Sequence, residues 1–336
     1  MAQICDMLAT INKSSFANES QRLSALHEAR ALCRRLERCH ETVETLIWTN
    51  PFTLLAVKVA ADMGVFEIMS GDAQTSQQLA ARTGADPTLV RRILRMLASV
   101  GAVLELTDDS YVNGELSAAF KEDKGLLSGV EYFFSVGAAE FRDLPKYLHR
   151  SGYQNPANIE HTPFSYSLKT PSFWQYLHEH PETHAHFNAY LSSIRRGQAP
   201  WTSIYPVQRL LESYDESSML CVDVGGGPVS GARAYFMHSI VHDWPDREAE
   251  MILSKIRNAM QSGYSKLLLY ETIMPVHPAQ VTPRMAAMDL NMMSHFAALE
   301  RNEAQWRALF TAVGLTWTGY FSQTGAHQGI IEAELL

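Results

Sequence analysis

The feature that most constrains this chain is a short link between two apolar runs. Residues 219–224 (MLCVDV) have the texture of a buried strand and end in Gly225-Gly226-Gly227. Only Pro228, Val229, Ser230 and Gly231 then precede a second strand candidate, 232–241. Parallel neighbours need a crossover of a dozen or more residues, whereas four residues close a hairpin or a tight turn. The two runs are therefore expected not to lie side by side and parallel. Either the first leaves the sheet, or it pairs antiparallel. If it leaves, the second becomes an edge that the helical region or a partner subunit must cover.

Downstream, a helix is expected over 248–261, a strand over 266–271, a helix over 302–313 closed by Gly314, and two strands in the final segment. Strand–helix alternation implies an α/β unit with a largely parallel sheet. Upstream, residues 20–48 carry apolar positions at helical spacing (Leu23, Leu26, Ala29, Leu32, Leu36, Val43, Leu46) and read as one amphipathic helix. Trp48-Thr49-Asn50-Pro51 reads as a stop before a second helix, 52–63, which is apolar nearly all round and ends at Gly64. Residues 75–101 give two short helices: Thr75 and Gln78 fit a capping box, Gly84 breaks the pair, and Asp86-Pro87 caps the second. A hairpin turning at Asp108-Asp109 completes a winged-helix pattern. Residues 115–215 read as mostly helical and aromatic-rich, with a loop at Asn155, Pro156 and Asn158.

Arg91, Arg92 and Arg95 on the second of those helices invite a nucleic-acid reading. The chain carries a net charge of -8, with 36 acidic against 28 basic residues, so a solvated face is the expectation and no nucleic-acid partner. Cys5, Cys33, Cys39 and Cys221 fit neither a metal-ligand spacing nor a disulfide framework, so no metal is expected and a reducing compartment is. The first residues, MAQICDMLATINKSS, lack the basic head and apolar core of a signal peptide, and no apolar run reaches the roughly 20 residues that span a bilayer. A soluble cytoplasmic protein without membrane contact is the expectation.

Three phrases in the second half belong together: Asp223-Val224-Gly225-Gly226-Gly227, His242-Asp243-Trp244-Pro245-Asp246, and Met288-Asp289-Leu290 with Glu300-Arg301. Their order, with GARAYFMHSIVHDWPDREAEMILSKIRNAM and LLLYETIMP around them, resembles the plant and fungal small-molecule O-methyltransferases that use S-adenosylmethionine (SAM). The resemblance covers nearly the whole chain. It implies a winged-helix dimerisation domain (1–115), all-helical in outline, a helical linker and pocket region (116–215), and a truncated Rossmann-like methyltransferase sheet (216–336). It also implies a homodimer and an aromatic or polyketide-like substrate.

Residue chemistry gives these positions a reason. Glycines after a strand let a backbone approach a ligand closely. Methylating a hydroxyl requires removing its proton, and a histidine suits that work. The resemblance makes His242 the general base, with Glu271 and Glu300 orienting it. The bland alternatives are a strand-end histidine and, for Glu300, an ion pair with Arg301. The resemblance assigns Asp223, Gly225, Gly227 and Trp244 to the cofactor. It assigns Asp243, Met292, Met293 and Phe296, beside His295, to the substrate. Trp244 and the Met/Phe positions read equally well as core.

A site of this type needs a helix after the glycine loop and an acid about 20 positions on to hold a ribose. The short link leaves no room for either. Three functions stay open on sequence: an O-methyltransferase whose donor site is rebuilt or supplied by a partner, a SAM-independent isomerase, cyclase or pericyclase using the same pocket, and a non-catalytic product or one with a lost exon.

Overall fold

In the computed structural model, residues 2–196, 200–224, 229–277, 280–323, 326 and 328–336 are described. Gly225, Gly226, Gly227 and Pro228 lie outside them. The N-terminal half is helical apart from one hairpin, and the C-terminal half wraps helices around a five-stranded sheet.

The first helices are α1 (Ala2–Thr10), α2 (Glu19–Leu36), α3 (Cys39–Glu44) and α4 (Asn50–Asp62). The single helix expected over 20–48 is instead broken at Glu37 and Arg38, both extended. The expected stop at Pro51 is absent. A π-turn over Thr45–Thr49 joins α3 to α4, with Asn50 N–H donating to Thr45 O. A proline is tolerated in the first turn of a helix segment, where its missing donor is not needed. Among the described residues α2 and α3 bury nothing. Leu36, Val43, Leu46, Ile47, Trp48 and Phe52 are all exposed on this arm.

After α5 (Val65–Ile68) come α6 (Ser76–Thr83) and α7 (Pro87–Ser99), capped as the sequence predicts. Thr75 accepts from Gln78 N–H, Gly84 takes the left-handed conformation at φ +74°, and Asp86 accepts from two amides. Val90, Leu94 and Leu97 of α7 are fully buried. The wing is β1 (Val103–Thr107) against β2 (Ser110–Asn113). Arg91 of α7 bonds Asp108 of the wing at 2.6 Å, and Arg95 lies 3.9 Å from the same carboxylate. These charges are engaged by the wing's acidic turn.

The middle of the chain supplies α8 (Glu115–Glu122), α9 (Lys124–Tyr132), α10 (Ala138–Arg150), α11 (Pro163–Leu168), α12 (Phe173–Glu179), α13 (Pro181–Arg195), α14 (Trp201–Ile204) and α15 (Gln208–Leu211). The sheet region comes next: β3 (Cys221–Asp223), β4 (Ala234–His238), α16 (Asp246–Ala259), β5 (Lys266–Glu271), α17 (Pro283–Phe296), α18 (Glu303–Ala312), β6 (Thr316–Ser322) and β7 (Gly329–Glu334). Its order is β3-β4-β5-β7-β6, with β3, β4 and β5 parallel and β7 antiparallel to both of its neighbours.

The parallel pairing of β3 with β4 corrects the topological expectation. Cys221, Val222 and Asp223 pair with Ala234, Tyr235 and Phe236. The strands are shorter than their apolar runs, so the link spans residues 224–233 rather than four residues. Ten residues reach at most about 33 Å, ample to return along a three-residue strand of roughly 10 Å. The described end of the link is pinned beneath α16: Gly231 N–H and the Tyr235 hydroxyl both donate to Ala259 O. β3, not β4, is thus the sheet edge.

The sheet's core is Tyr235, Met237, Leu267, Leu269 and Ile331 packed against Leu253 and Ile256 of α16 and Trp306 and Phe310 of α18. On the other face Glu332, fully buried, accepts from Tyr205, Thr318 and Arg209. Burial alone would raise this carboxyl, but those hydrogen bonds and the charge of Lys266 hold it at about 2.

Candidate active site

His242 sits on the 3-10 turn Val241–Asp243, directly beyond β4, rather than on the strand itself. Three neighbours build that turn. Ser239 takes a left-handed conformation (φ 52°) and turns the chain out of the sheet. Glu271, the last residue of β5 and fully buried, accepts from Ile240 N–H at 3.0 Å and Val241 N–H at 2.9 Å. Arg301, also fully buried, donates to Val241 O at 3.1 Å, Trp244 O at 2.8 Å and Asp246 Oδ1 at 2.7 Å. Both ends of the turn are thereby held by side chains distant in sequence, Glu271 at the end of β5 and Arg301 between α17 and α18.

Three carboxylates surround the imidazole. Nδ1 lies 2.9 Å from Glu300 Oε1 and 3.9 Å from Glu271 Oε2, and Nε2 lies 3.4 Å from Asp243 Oδ1. Glu300 therefore pairs with His242, and Arg301 pairs with Asp246, not with Glu300. Asp289 holds the dyad from behind, accepting Glu300 N–H at 2.9 Å. Glu271 Oε2 and Glu300 Oε2 are buried without a hydrogen-bond partner among the described residues.

Burial on its own would lower His242, but the charge of Glu271, the hydrogen bond to Glu300 and the charge of Asp243 outweigh it and push the imidazole up to about 10. Burial raises Glu271, and it carries Asp243 up to about 7 against the pull of His242. These neighbours favour the protonated ring, so Nε2 can accept a proton only after releasing the one it holds.

The other expected site residues lie on separate elements. Asp223 is exposed at the end of β3, where its charge acts on His238. Trp244 is half-buried against the sheet core. Gly225 and Gly227 lie outside the described residues. Met292 and Phe296 are buried in an aromatic cluster with Phe164 and Phe173, and Met293 is half-buried beside them on α17. The structure therefore brings His242, Asp243, Glu271 and Glu300 together, and sets Met292 and Phe296 on a helix that also carries Asp289.

Sequence reasoning missed Arg301 as the brace of the turn and Asp289 as the anchor of Glu300. Both stand within the motifs Glu300-Arg301 and Met288-Asp289-Leu290, and an arginine next to a site glutamate was the available signal. It also missed His238, which stacks on Tyr270 at 4.4 Å. Burial and the Arg195 charge lower His238 to about 4. No pattern in the sequence marked it.

Fold and site together define a methyltransferase-fold chain with a dimerisation domain. Residues 53–123 match the family model of the O-methyltransferase dimerisation domain, and residues 228–316 match that of the O-methyltransferase domain. Among curated relatives, O-methyltransferase mfmE of Annulohypoxylon moriforme is 30% identical over 380 residues, covering 98% of this chain and 94% of the relative. O-methyltransferase mpaG of Penicillium brevicompactum is 30% identical over 398 residues, covering 99% and 98%. The chain belongs to the fungal small-molecule O-methyltransferase family. Both alignments are longer than the chain, so part of each relative stands opposite gaps here. Among solved structures, one described as a pericyclic reaction enzyme superposes with a TM-score of 0.90 at 21% identity, covering 100% of this chain and 99% of that one. OxaC in complex with sinefungin and meleagrin gives 0.80 at 19% identity, covering 96% and 94%. At these identities the likeness concerns the fold.

Proposed function

We propose that this chain acts as an O-methyltransferase-type enzyme on a hydroxyl of an aromatic or polyketide-like secondary metabolite, with His242 as the general base. The observation that carries the reading is the buried imidazole held between Glu300 and Asp243. Glu300 fixes the ring through Nδ1 at 2.9 Å. Asp243 stands 3.4 Å from Nε2, the nitrogen left to meet a hydroxyl, which takes the substrate's proton once its own has passed to solvent. Glu271 holds the turn that carries the ring. Met292, Met293 and Phe296 are the pocket side of α17, where polarizable and flat side chains suit an aromatic guest. The dimerisation domain and the exposed apolar arm of α2–α4 support a homodimer.

SAM, when bound, supplies a methyl electrophile. The described residues do not make a complete site for it. Asp223 is exposed and Trp244 packs on the core. Among the described residues, the ten-residue link holds no second strand to present a ribose-binding acid. The remaining contacts would come from residues 225–228 or from a partner subunit. That same observation favours a second reading, in which His242 and its carboxyls move protons on the guest without a methyl donor.

A thermal-shift titration with SAM separates the two. A ligand that binds the native state alone stabilises it by about 2.7 kcal/mol at a hundredfold excess over its dissociation constant. Stabilisation together with transfer of label from SAM to a hydroxylated aromatic, lost in His242→Ala, supports methyl transfer. No shift at millimolar SAM sinks it.

A further inference from the structure

The turn that carries His242 is held in its middle and at its far end by groups already named. Glu271 accepts from the amides of Ile240 and Val241, and Arg301 donates to the carbonyls of Val241 and Trp244. Its near end is the point where the chain leaves β4. His238 is the last rung of the β4–β5 ladder, opposite Tyr270, and Ser239 N–H then donates to Tyr270 O at 3.1 Å. Ser239 makes the bend at φ 52°, in the left-handed region. There the Cβ of an L-residue comes too close to the following carbonyl oxygen, so glycine is the usual occupant. A serine in that conformation has to be fixed by its surroundings, and residues of this kind gather at functional sites.

Gln328 supplies the fixing group. Its Nε2 donates to Ser239 Oγ at 2.9 Å, across 89 positions of sequence. Gln328 stands immediately before β7, whose first residue, Gly329, pairs with Glu271, the last of β5. β4 and β7 flank β5 on opposite sides, and strands two apart lie about 9.5 Å from each other. A glutamine side chain meeting a serine hydroxyl closes that gap over the end of β5. Gly329 has no room for a side chain, since a Cβ there would meet Phe321 O at 2.6 Å. The backbone next to Gln328 is thus packed against β6, and the amide is offered from a fixed point. The same amide bonds the ring of His238.

We propose that Ser239 and Gln328 are positioning residues for His242: the amide clamps the hydroxyl, the clamp fixes the left-handed bend, and the bend sets the imidazole against its carboxylates. The inference rests on the reading of His242 as the working imidazole. Without the clamp, Ser239 relaxes toward the ordinary φ < 0 regions. A rotation at 239 swings the residues after it, while Glu271 and Glu300 stay on other elements. The ring then moves off Glu300 Oε1, now 2.9 Å from Nδ1, and off Glu271 Oε2, 3.9 Å away, while Asp243 travels with it. Those carboxylates hold the ring's proton affinity up, at about 10. The remaining titratable neighbour, His238, is lowered to about 4 by burial and the Arg195 charge, and losing its bond to Gln328 lowers it further. No new charge therefore appears beside His242 when the clamp is cut.

The test titrates the full chain, labelled with 15N-histidine, by NMR. His242 is assigned as the resonance that vanishes in His242→Gln. Ser239→Ala and Gln328→Leu are each expected to lower the His242 midpoint by about one pH unit, a tenfold loss of proton affinity. Ser239→Gly is expected to stay within about 0.3 unit of wild type, because glycine takes the bend unaided. Adding Gln328→Leu to Ser239→Gly should then change nothing, whereas a structural effect unconnected with the clamp would lower the midpoint in both backgrounds. An unmoved midpoint in folded Gln328→Leu, or the same drop in the Ser239→Gly background, overturns the proposal. So does a drop in Ser239→Gly as large as that in Ser239→Ala. If Ser239→Ala fails to fold, Gln328→Leu and the double variant carry the test. The titration needs no turnover, which separates it from the reading of His242 as base. Methyl transfer lost in His242→Ala with an unmoved midpoint in Gln328→Leu removes the clamp and leaves the base. A shifted midpoint with transfer kept in His242→Ala removes the base and leaves the clamp.

Discussion

Replacing Arg301 by methionine tests how the turn that carries His242 is held. The guanidinium has no exposed surface and donates to two backbone carbonyls, Val241 O and Trp244 O. Methionine occupies similar space but leaves both acceptors bare. Each buried acceptor left unpaired costs about 1–3 kcal/mol, and Val241 is fully buried while Trp244 is half-buried, which places the pair at about 3–4 kcal/mol. The ion pair adds under about 1 kcal/mol, because the Asp246 side chain is 70% exposed. Removing a buried charge offsets part of the sum, as does the contact of a thioether with Trp306, over which the guanidinium now lies at 5.3 Å. The expected net loss is about 3 kcal/mol, read from urea unfolding followed by tryptophan fluorescence. Hydrogen exchange at the amides of 240–244 should accelerate by more than elsewhere. Arg301→Lys, able to reach one carbonyl, should fall between. A loss below about 1 kcal/mol for Arg301→Met, with exchange unchanged in 240–244, refutes the bracing argument.

Two further outcomes come from the same geometry. Glu332 is held at about 2, below its ordinary 4.5, so its contribution is full above pH 4.5 and is lost as pH falls toward 2. Denaturant melts at pH 5 and pH 2.5 should therefore show Glu332→Gln with a flatter pH dependence than wild type, by about 2 kcal/mol across the window; equal slopes would count against it. Leu46→Glu combined with Trp48→Glu places charge on the exposed apolar arm, and sedimentation should show a shift from dimer to monomer; an unchanged dimer places the interface elsewhere.

Much of the fold is legible in the sequence because local signals are strong. Thr75, Gly84, Asp86 and Gly314 each have one structural role at a helix end, and all four occupy it. The Pro51 boundary misleads because a π-turn shifts the helical register around it, a feature without a compositional mark. The β3–β4 pairing misleads because apolar runs and strands do not coincide. Met219 and Leu220 lend only their carbonyls to Arg233 and Ala234 N–H, and the chain leaves the ladder after Ser239 N–H meets Tyr270 O, so the regular strands are a few residues shorter than the runs, which lengthens the link between them. At the site, the pairing of Glu300 with His242 instead of Arg301 depends on which way two adjacent side chains leave the chain. The Ser239–Gln328 bond joins residues 89 positions apart, beyond the reach of any spacing rule.

The position of β3 has a consequence for how the fold tolerates change. A gap in the chain that falls at a sheet edge removes terminal rungs of the ladder and leaves every interior strand with both neighbours. The hydrophobic layer between the sheet and helices α16 and α18 stays closed, and the turn that carries His242 hangs from β4 and β5, one strand inward. Among the described residues β3 has a neighbour on one side only, so a strand added beyond it would pair there without rethreading the core.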